Sequence, residues 1–518
     1  MYSSNIEKKF GHKIKSLNEL LKIVGSFPRK RKLIMCHGTF DIVHPGHIRH
    51  LLYAKEKGDL LIVSLTCDKY ISKANYRPFV TESLRALNLA VLDFVDYVLI
   101  DNNETPIKNL KKIKPDYFAK GFEYNKEKMN PKTLEEIKVI ESYGGKIIFS
   151  PGDIIFSSSK IITTYPPDLK NEKLFHLMDS EKITFNEIIK TINSFNNKTV
   201  HIIGDCIIDT FTYCSMIGGM TKTPTMSLKK EYSKEFVGGA GIVAKHLAAA
   251  GAKVTLTTIN GVDKESKFFQ KDIKKYKNIT LNLILDKNRP TTCKNVIICN
   301  EHRLLKIDKI ENSQIPFEII SQITNLIKKT EADGVIFSDF RHGIFTKNTI
   351  PTFFKSIPKK SFKVADSQVA SRWGNILEFK NFDLLTPNEK EARFALADQD
   401  TVVRPLGLEL YKKTKCKTLI LKCGDKGVMS FRSPNAKNFR SFFTIDSFAR
   451  EIKDPVGAGD ALLAYATLSK LVNSNEVIST IIGNIAAGIE CEKDGNIPIT
   501  PNDVINRLNQ LKEIKGNS

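Results

Sequence analysis

The sequence predicts an α/β protein of two tandem domains, the first a small doubly wound sheet. Two short apolar runs carry that expectation: Lys32 to Cys36 leads into His37-Gly38-Thr39-Phe40-Asp41, and Thr199 to Ile203 leads into Gly204-Asp205. An apolar strand that stops at a glycine turn before a helix is how an α/β sheet offers a ligand site at its carboxyl edge. Length agrees, because 518 residues at roughly 100 to 200 per domain make two to four folding units. The chain shows no internal repeat with a period of about 20 to 50 residues, which removes solenoids and propellers.

In chain order, residues 1–29 read as an N-terminal extension, 30–166 as the first domain, 167–197 as a linker and 198–514 as the second domain. Strands are expected at Leu60 to Leu65, Tyr97 to Ile100, Tyr117 to Ala119 and Lys146 to Phe149, with an amphipathic stretch from Glu82 to Leu92 between them. Tyr165-Pro166-Pro167 closes the first domain, since two prolines stop a helix and favour extended chain. A helix around Phe185 to Phe195 is expected within the linker.

Composition narrows the class. Hydrophobic residues at 41% and charged residues at 26% are ordinary for a globular protein and exclude fibrous or disordered chains. A formal charge of +22 raises nucleic acid or an anionic membrane as partner. Of 79 cations, however, only 15 are Arg and 64 are Lys, and Lys lacks the planar fork that reads guanine edges. Pairs such as Lys111-Lys112, Lys274-Lys275 and Lys412-Lys413 recur along the chain without a basic arm, as solvated faces do. No specific nucleic-acid partner is expected. Nine cysteines without a CxxC pair argue against a disulfide framework or zinc ribbon and suit a reducing cytoplasm. The opening residues MYSSNIEKKFGHKIKS form no apolar core of a signal peptide, and no apolar run of about 18 residues occurs, so neither secretion nor membrane insertion is expected.

Four of the ten histidines lie between residues 37 and 50, in His37-Gly-Thr-Phe-Asp-Ile-Val-His44-Pro-Gly-His47-Ile-Arg-His50. Pro45 and Gly46 make a turn, and Ile48, Leu51, Leu52 and Ala54 follow at helical spacing, so His44 and His47 sit at a helix start. Unpaired N–H groups and the positive dipole end favour anions there, and two imidazoles add donors for a polyphosphate. A metal pair is the competing reading, but no third ligand stands at a usual spacing.

This stretch resembles the HxGH signature of the nucleotidyltransferase superfamily, whose domain is Rossmann-like. Arg77-Pro78-Phe79, Arg85, Phe94 to Val98, Lys120 to Tyr124 and Ser157 to Ile161 follow in the order those enzymes show. The resemblance covers about residues 30 to 165. It implies that His44 and His47 are catalytic and contact a triphosphate, that Gly38, Thr39 and Phe40 line the nucleotide, and that Arg85 and Lys120 add charge. Ser158 and Ser159 would cap a helix over the outer phosphates, and Asp41 would brace the turn. Pro151 to Ile155 stands where glycerol-phosphate cytidylyltransferases carry Arg, which leans toward ATP and the heptose-type adenylyltransferases over CTP.

Toward the C-terminus, Asp454-Pro455-Val456-Gly457-Ala458-Gly459-Asp460 precedes the apolar run Leu462 to Leu471. Small residues let backbone N–H groups converge on a phosphate at a helix start, and Asp460 projects where a hydroxyl could lose its proton. The segment resembles the DxxGAGD signature of the ribokinase-like (PfkB) sugar kinases, and the resemblance spans about residues 198 to 514. It implies that Asp460 is the general base, that the amides of Gly457, Ala458 and Gly459 hold the phosphoryl group, and that Asn388 and Glu391 organise Mg2+ indirectly. It also places Asp205, Gly238, Gly239 and Lys294 at the sugar, with Asp205 as the hydroxyl acceptor, and Gly424, Gly427 and Asn484 at the nucleotide. Where the family reads GGAxNVAxN, this chain has Ile242 and His246 in place of two asparagines, which implies a different sugar or orientation. Asp366-Ser367-Gln368 and Gly495-Asn496-Ile497-Pro498 are polar turns without an assigned role.

Together the halves resemble the bifunctional heptose-phosphate kinases and heptose 1-phosphate adenylyltransferases of surface-polysaccharide synthesis, in reversed order. The expected substrates are nucleoside triphosphates and sugar phosphates, with ATP and Mg2+; a homodimer stays open. The alternatives are a CTP-dependent enzyme acting on glycerol phosphate or another polyol, and a nucleic-acid-binding protein that has taken over the two folds.

Overall fold

The computed structural model describes residues 2–71, 78–121, 131–150, 170–218, 226–300, 302–368, 375–433 and 441–517. Contacts divide the chain into one unit of Met1–His176 with Lys515–Ser518 and a second of Leu177–Ile514.

The first unit is built on five parallel strands: β1 (Leu33–Gly38), β2 (Leu60–Thr66), β3 (Tyr97–Asp101), β4 (Tyr117–Lys120) and β5 (Lys146–Phe149). Their order is β3-β2-β1-β4-β5, so the winding reverses beside β1. Both faces of this sheet are covered, which is why the first four residues of β1 and the first six of β2 are buried. One face packs Leu51 and Ala54 of the helix Pro45–Lys55 and Ala86, Leu89 and Ala90 of the helix Glu82–Ala90. The other packs Ile107, Leu110 and Ile113. Leu20 and Val24 join that second face from the helix Leu17–Val24, which starts at a capping box of Ser16 and Glu19. Ile14 also bridges Val98 on β3. Part of the stretch expected to be an extension therefore helps build this core.

In the second unit, nine strands make the main sheet: β6 (Thr199–Gly204), β9 (Lys253–Asn260), β10 (Ile279–Leu285), β13 (Gly334–Asp339), β14 (Phe362–Ser367), β15 (Leu384–Leu385), β16 (Thr418–Lys422), β17 (Val428–Phe431) and β18 (Phe442–Ile445). The order is β10-β9-β6-β13-β14-β15-β16-β17-β18, parallel up to β16 and antiparallel beyond. Here too the winding reverses, between β6 and β13. A four-stranded sheet, β12-β11-β7-β8, is formed by β7 (Cys206–Gly218), β8 (Ser227–Gly239), β11 (Cys293–Cys299) and β12 (His302–Lys309). Lys294, expected at the sugar, lies on β11 of this sheet, which the sequence did not lead one to expect. Residues expected to form a linker carry two helices, Lys170–Ser180 and Phe185–Asn193; Thr184 caps the latter, which buries Phe185, Ile188 and Ile192. Among the described residues no helix is long and apolar enough to cross a membrane.

Candidate active sites

In the first unit the histidine turn leaves the carboxyl end of β1 at the point where strand order reverses, the usual ligand position in such sheets. Phe40 holds a left-handed backbone (φ 48°), and its ring lies where a Cβ on Gly38 would come within 3.1 Å of it. His44 caps the helix Pro45–Lys55, its Nδ1 accepting from the Gly46 amide at 3.2 Å. The rings of His44 and His47 stack at 3.8 Å, and Phe40 meets His47 edge-on at 5.0 Å. Burial and the neighbouring His44 and His50 push His47 down to about 3, and burial lowers His44 as well. The pair is therefore neutral without ligand. His37 is held between Ser64 Oγ (3.0 Å) and Thr66 Oγ1 (3.2 Å), and burial depresses it to about 3.

Several residues expected at the triphosphate are otherwise engaged. Arg85 is wholly buried and donates to the carbonyls of Val80 (2.9 Å), Thr39 and Thr66 (2.9 Å) and to Asp68 Oδ1 (2.6 Å). It ties the glycine turn to β2, where it was expected to add charge at the triphosphate. Lys120 is paired with Glu136 and lies 3.2 Å from Thr133 Oγ1. Asp41, expected to brace the turn and not to meet the triphosphate, accepts from the amides of Phe79 (3.0 Å) and Val80 (2.8 Å). Ser158 and Ser159, like Arg77 and residues 122–124, lie outside the described residues.

The second unit holds a cavity of about 580 Å³. Gly457, Ala458, Gly459 and Asp460 line it at the start of the helix Ala458–Val472. Gly457 has φ 87°, and a Cβ there would come within 2.8 Å of Asn496 Oδ1 and 3.0 Å of Glu490 Oε1. Burial drives Asp460 up to about 8; Asp366 and Asp209 add to the rise, while Lys422 and Lys294 oppose it. Gly424, Gly427 and Asn484 line the same cavity, with Asn484 fixed through Nδ2 on the Asp446 carbonyl at 2.8 Å. Lys294 faces it too, its ammonium lowered by burial and supported by Asp209.

Sugar-side expectations are corrected at Asp205, at Gly238 and at the two replaced asparagines. The Oδ2 of Asp205 accepts from the amides of Phe340 (3.0 Å) and His342 (3.2 Å), bracing the turn after β13 instead of lining the cavity. Asp209, four residues on in β7, lines the cavity with Ile207, Thr210 and Phe211. Its Oδ2 accepts from Asn496 Nδ2 at 2.9 Å, in space that a Cβ on Gly238 would overlap. Gly238 thus makes room for a carboxylate, while Gly239 (φ 60°) reaches the cavity. His246 is buried, accepts from the Ile499 amide at 3.1 Å and, like Ile242, is absent from the lining, so neither replacement touches this space. Finally, Asn388 and Glu391 form a capping box: Asn388 donates through N (2.7 Å) and Nδ2 (2.6 Å) to Glu391, and Glu391 N donates back at 2.9 Å. Asn388 lines the cavity; Glu391 does not.

The signals missed in the sequence were an acid within a strand, where Asp is depleted, and a Lys ending β16, Lys422, which also lines the cavity. Among the described residues no cluster of three His, Cys, Asp or Glu side chains is placed to hold a metal ion.

A model of the pfkB family of carbohydrate kinases matches residues 197–503, and a cytidylyltransferase-like model matches residues 35–164. Bifunctional protein HldE of Campylobacter concisus is 39% identical over 149 residues, 28% of this chain and 31% of that one. The protein of that name from Aliarcobacter butzleri is 28% identical over 329 residues, 61% of this chain and 66% of that one. This chain thus covers from about a third to just under two thirds of the length of such relatives. Phosphofructokinase-2 from Escherichia coli in complex with substrates and products shares the second unit's fold, with a TM-score of 0.51 at 16% identity over 61% of this chain and 99% of that one. Its potassium complex gives 0.50 at 17% identity over the same shares. With the glycine turn, the buried Asp460 and the two sheets in place, and with the family model matching more than half of its length, the chain belongs to the pfkB family of carbohydrate kinases and carries a cytidylyltransferase-like unit ahead of the kinase fold.

Proposed function

We propose that the chain is a bifunctional enzyme of nucleotide-sugar synthesis. Its second unit phosphorylates a heptose-phosphate-like sugar from ATP, and its first transfers an adenylyl group to a sugar 1-phosphate with release of pyrophosphate. The observation that carries the reading is Asp460, buried in the cavity at a helix start behind Gly457-Ala458-Gly459. A sugar hydroxyl oxygen attacks the γ-phosphorus, the bond from that phosphorus to the β-phosphate oxygen breaks, ADP leaves, and the hydroxyl proton passes to the Asp460 carboxylate. The amides of Gly457, Ala458 and Gly459 supply donors for the transferring group. Asp209 and Lys294 hold the sugar in this reading. Magnesium would arrive with the triphosphate substrate; both Glu391 oxygens accept from Asn388, so that pair would act on the ion through water.

In the first unit an oxygen of the sugar 1-phosphate attacks the α-phosphorus of ATP while pyrophosphate leaves. His44 and His47 contact the triphosphate as neutral hydrogen-bonding rings. The nine cysteines, none of them disulfide-bonded, suit a reducing compartment.

The two chemistries are expected to separate by mutation. Asp460→Asn should lower phosphorylation on the order of 10²- to 10⁴-fold and leave pyrophosphate release intact, while His47→Ala should do the converse. The assay pairs product mass spectrometry on heptose, hexose and polyol phosphates with pyrophosphate detection, using ATP and CTP in parallel. Loss of both activities in either variant contradicts two autonomous sites, and pyrophosphate release with CTP alone replaces the adenylyl reading with the cytidylyl one.

A further inference from the structure

β16 runs Thr-Leu-Ile-Leu through the core and ends in Lys422 at the sheet's carboxyl edge, where Leu419 and Leu421 are buried and the side chain of Lys422 keeps 14% exposure. Burying an ammonium is costly unless it is paired or faces an anion. Lys422 is paired: Nζ lies 3.1 and 3.2 Å from the two oxygens of Asp366 on β14, and Asp366 is itself fixed by Thr386 Oγ1 at 3.0 Å. Its backbone is pinned as well, the Lys422 amide donating to the Pro387 carbonyl at 2.8 Å. The ammonium therefore has a set position in the cavity wall. That position is against the glycine turn, since a Cβ on Gly459 would lie 3.1 Å from Nζ. A cation is disfavoured at a helix N-terminus, where the partial charge is already positive. An ammonium held there alongside the convergent amides makes sense once an anion occupies the space between them. Asp460 is also within electrostatic reach, and Asp366, Glu391 and Asp460 together keep Lys422 protonated despite its burial.

Resting on the kinase reading above, we propose that Lys422 is a catalytic residue that bonds a non-bridging oxygen of the phosphoryl group in flight, with Asp366 as the positioning residue that holds it. The ammonium neither gains nor loses its proton. It offsets negative charge as the phosphorus–oxygen bond to ADP lengthens and the bond to the sugar oxygen forms, while Asp460 takes the hydroxyl proton.

The test is steady-state kinetics of the full chain with Lys422→Met, Lys422→Arg, Asp366→Asn and the double variant Lys422→Met/Asp366→Asn. Removing one such donor is expected to cost about 10²- to 10³-fold in kcat, with pyrophosphate release by the first unit and the melting temperature showing whether the chain still folds. Lys422→Arg should recover part of the loss. The double variant decides the role: if Lys422 only neutralises Asp366, removing both charges restores kcat to within about tenfold of wild type, whereas a phosphoryl contact leaves it as low as Lys422→Met alone. Restoration in the double variant, or Lys422→Met within about threefold of wild type, overturns the assignment and leaves the kinase reading standing. A wild-type chain that phosphorylates no sugar in the panel, or an active Asp460→Asn, removes the kinase reading and this assignment with it.

Discussion

Gly238 shows how a single missing Cβ shapes chemistry. Any side chain there overlaps Asp209 Oδ2, the atom that Asn496 Nδ2 holds at 2.9 Å. Gly238→Ala is expected to push that carboxylate out of place and lower kcat/KM for phosphorylation on the order of 10²-fold, the usual cost of a misplaced binding group. Kinetics on the phosphorylated sugar, with a melting curve as control, check it. The same spot explains why the carboxylate four residues before Asp209 was the wrong one to favour. Asp205, just before β7, and Asp209, within it, are the same residue type, and the amides of Phe340 and His342, more than a hundred residues away, absorb the first.

At the scale of elements, helix starts do most of the positioning. Asn388 and Glu391 close the start of the helix Glu389–Leu396 reciprocally, so Asn388→Ala should cost about 1 kcal/mol of stability and lower the melting temperature by about 2 °C. A direct metal-ligand role would instead change the dependence of activity on magnesium concentration far more than the melt. His44 plays a similar part for the helix Pro45–Lys55. The strands β1, β2 and β6, which run through the cores, were legible because parallel strands buried on both faces read as apolar runs. The four-stranded sheet was not, since β12 is exposed along its whole length and offers no apolar period to detect.

For the molecule as a whole, the two units carry opposite titration loads. In the first, His37 and His47 fall to about 3 because burial disfavours their charged form. The unfolded chain then binds more protons below about pH 6.5, and stability is lost as pH falls from there. In the second, burial raises Asp339 to about 7 and Asp460 and Glu490 to about 8. The folded state holds protons that the unfolded chain has released, so stability is lost as pH rises toward 8. His201 and His246, at about 4 and about 3, counter this only below about pH 6.5. Calorimetry of the full chain is expected to show the first unit's transition moving down between pH 6.5 and 5, and the second unit's moving down between pH 6.5 and 8. A shift of both in the same direction over either window contradicts these assignments.

The charge of +22 belongs mostly to dispersed lysines, yet Lys294, Lys306 and Lys422 line the cavity. Glycine turns, helix starts and apolar strands were readable from the chain alone because each depends on residues a few positions apart. Which polar groups stay available for a ligand was settled by folding. Arg85 gives its donors to three carbonyls and a carboxylate, Asp205 accepts two amides, and His246 accepts a third. Asp209 and Lys422, silent in the sequence, are carried to the cavity by strands from different sheets. A side chain's remaining hydrogen-bonding capacity is set by partners distant along the chain, and those partners exist only once the sheets have packed.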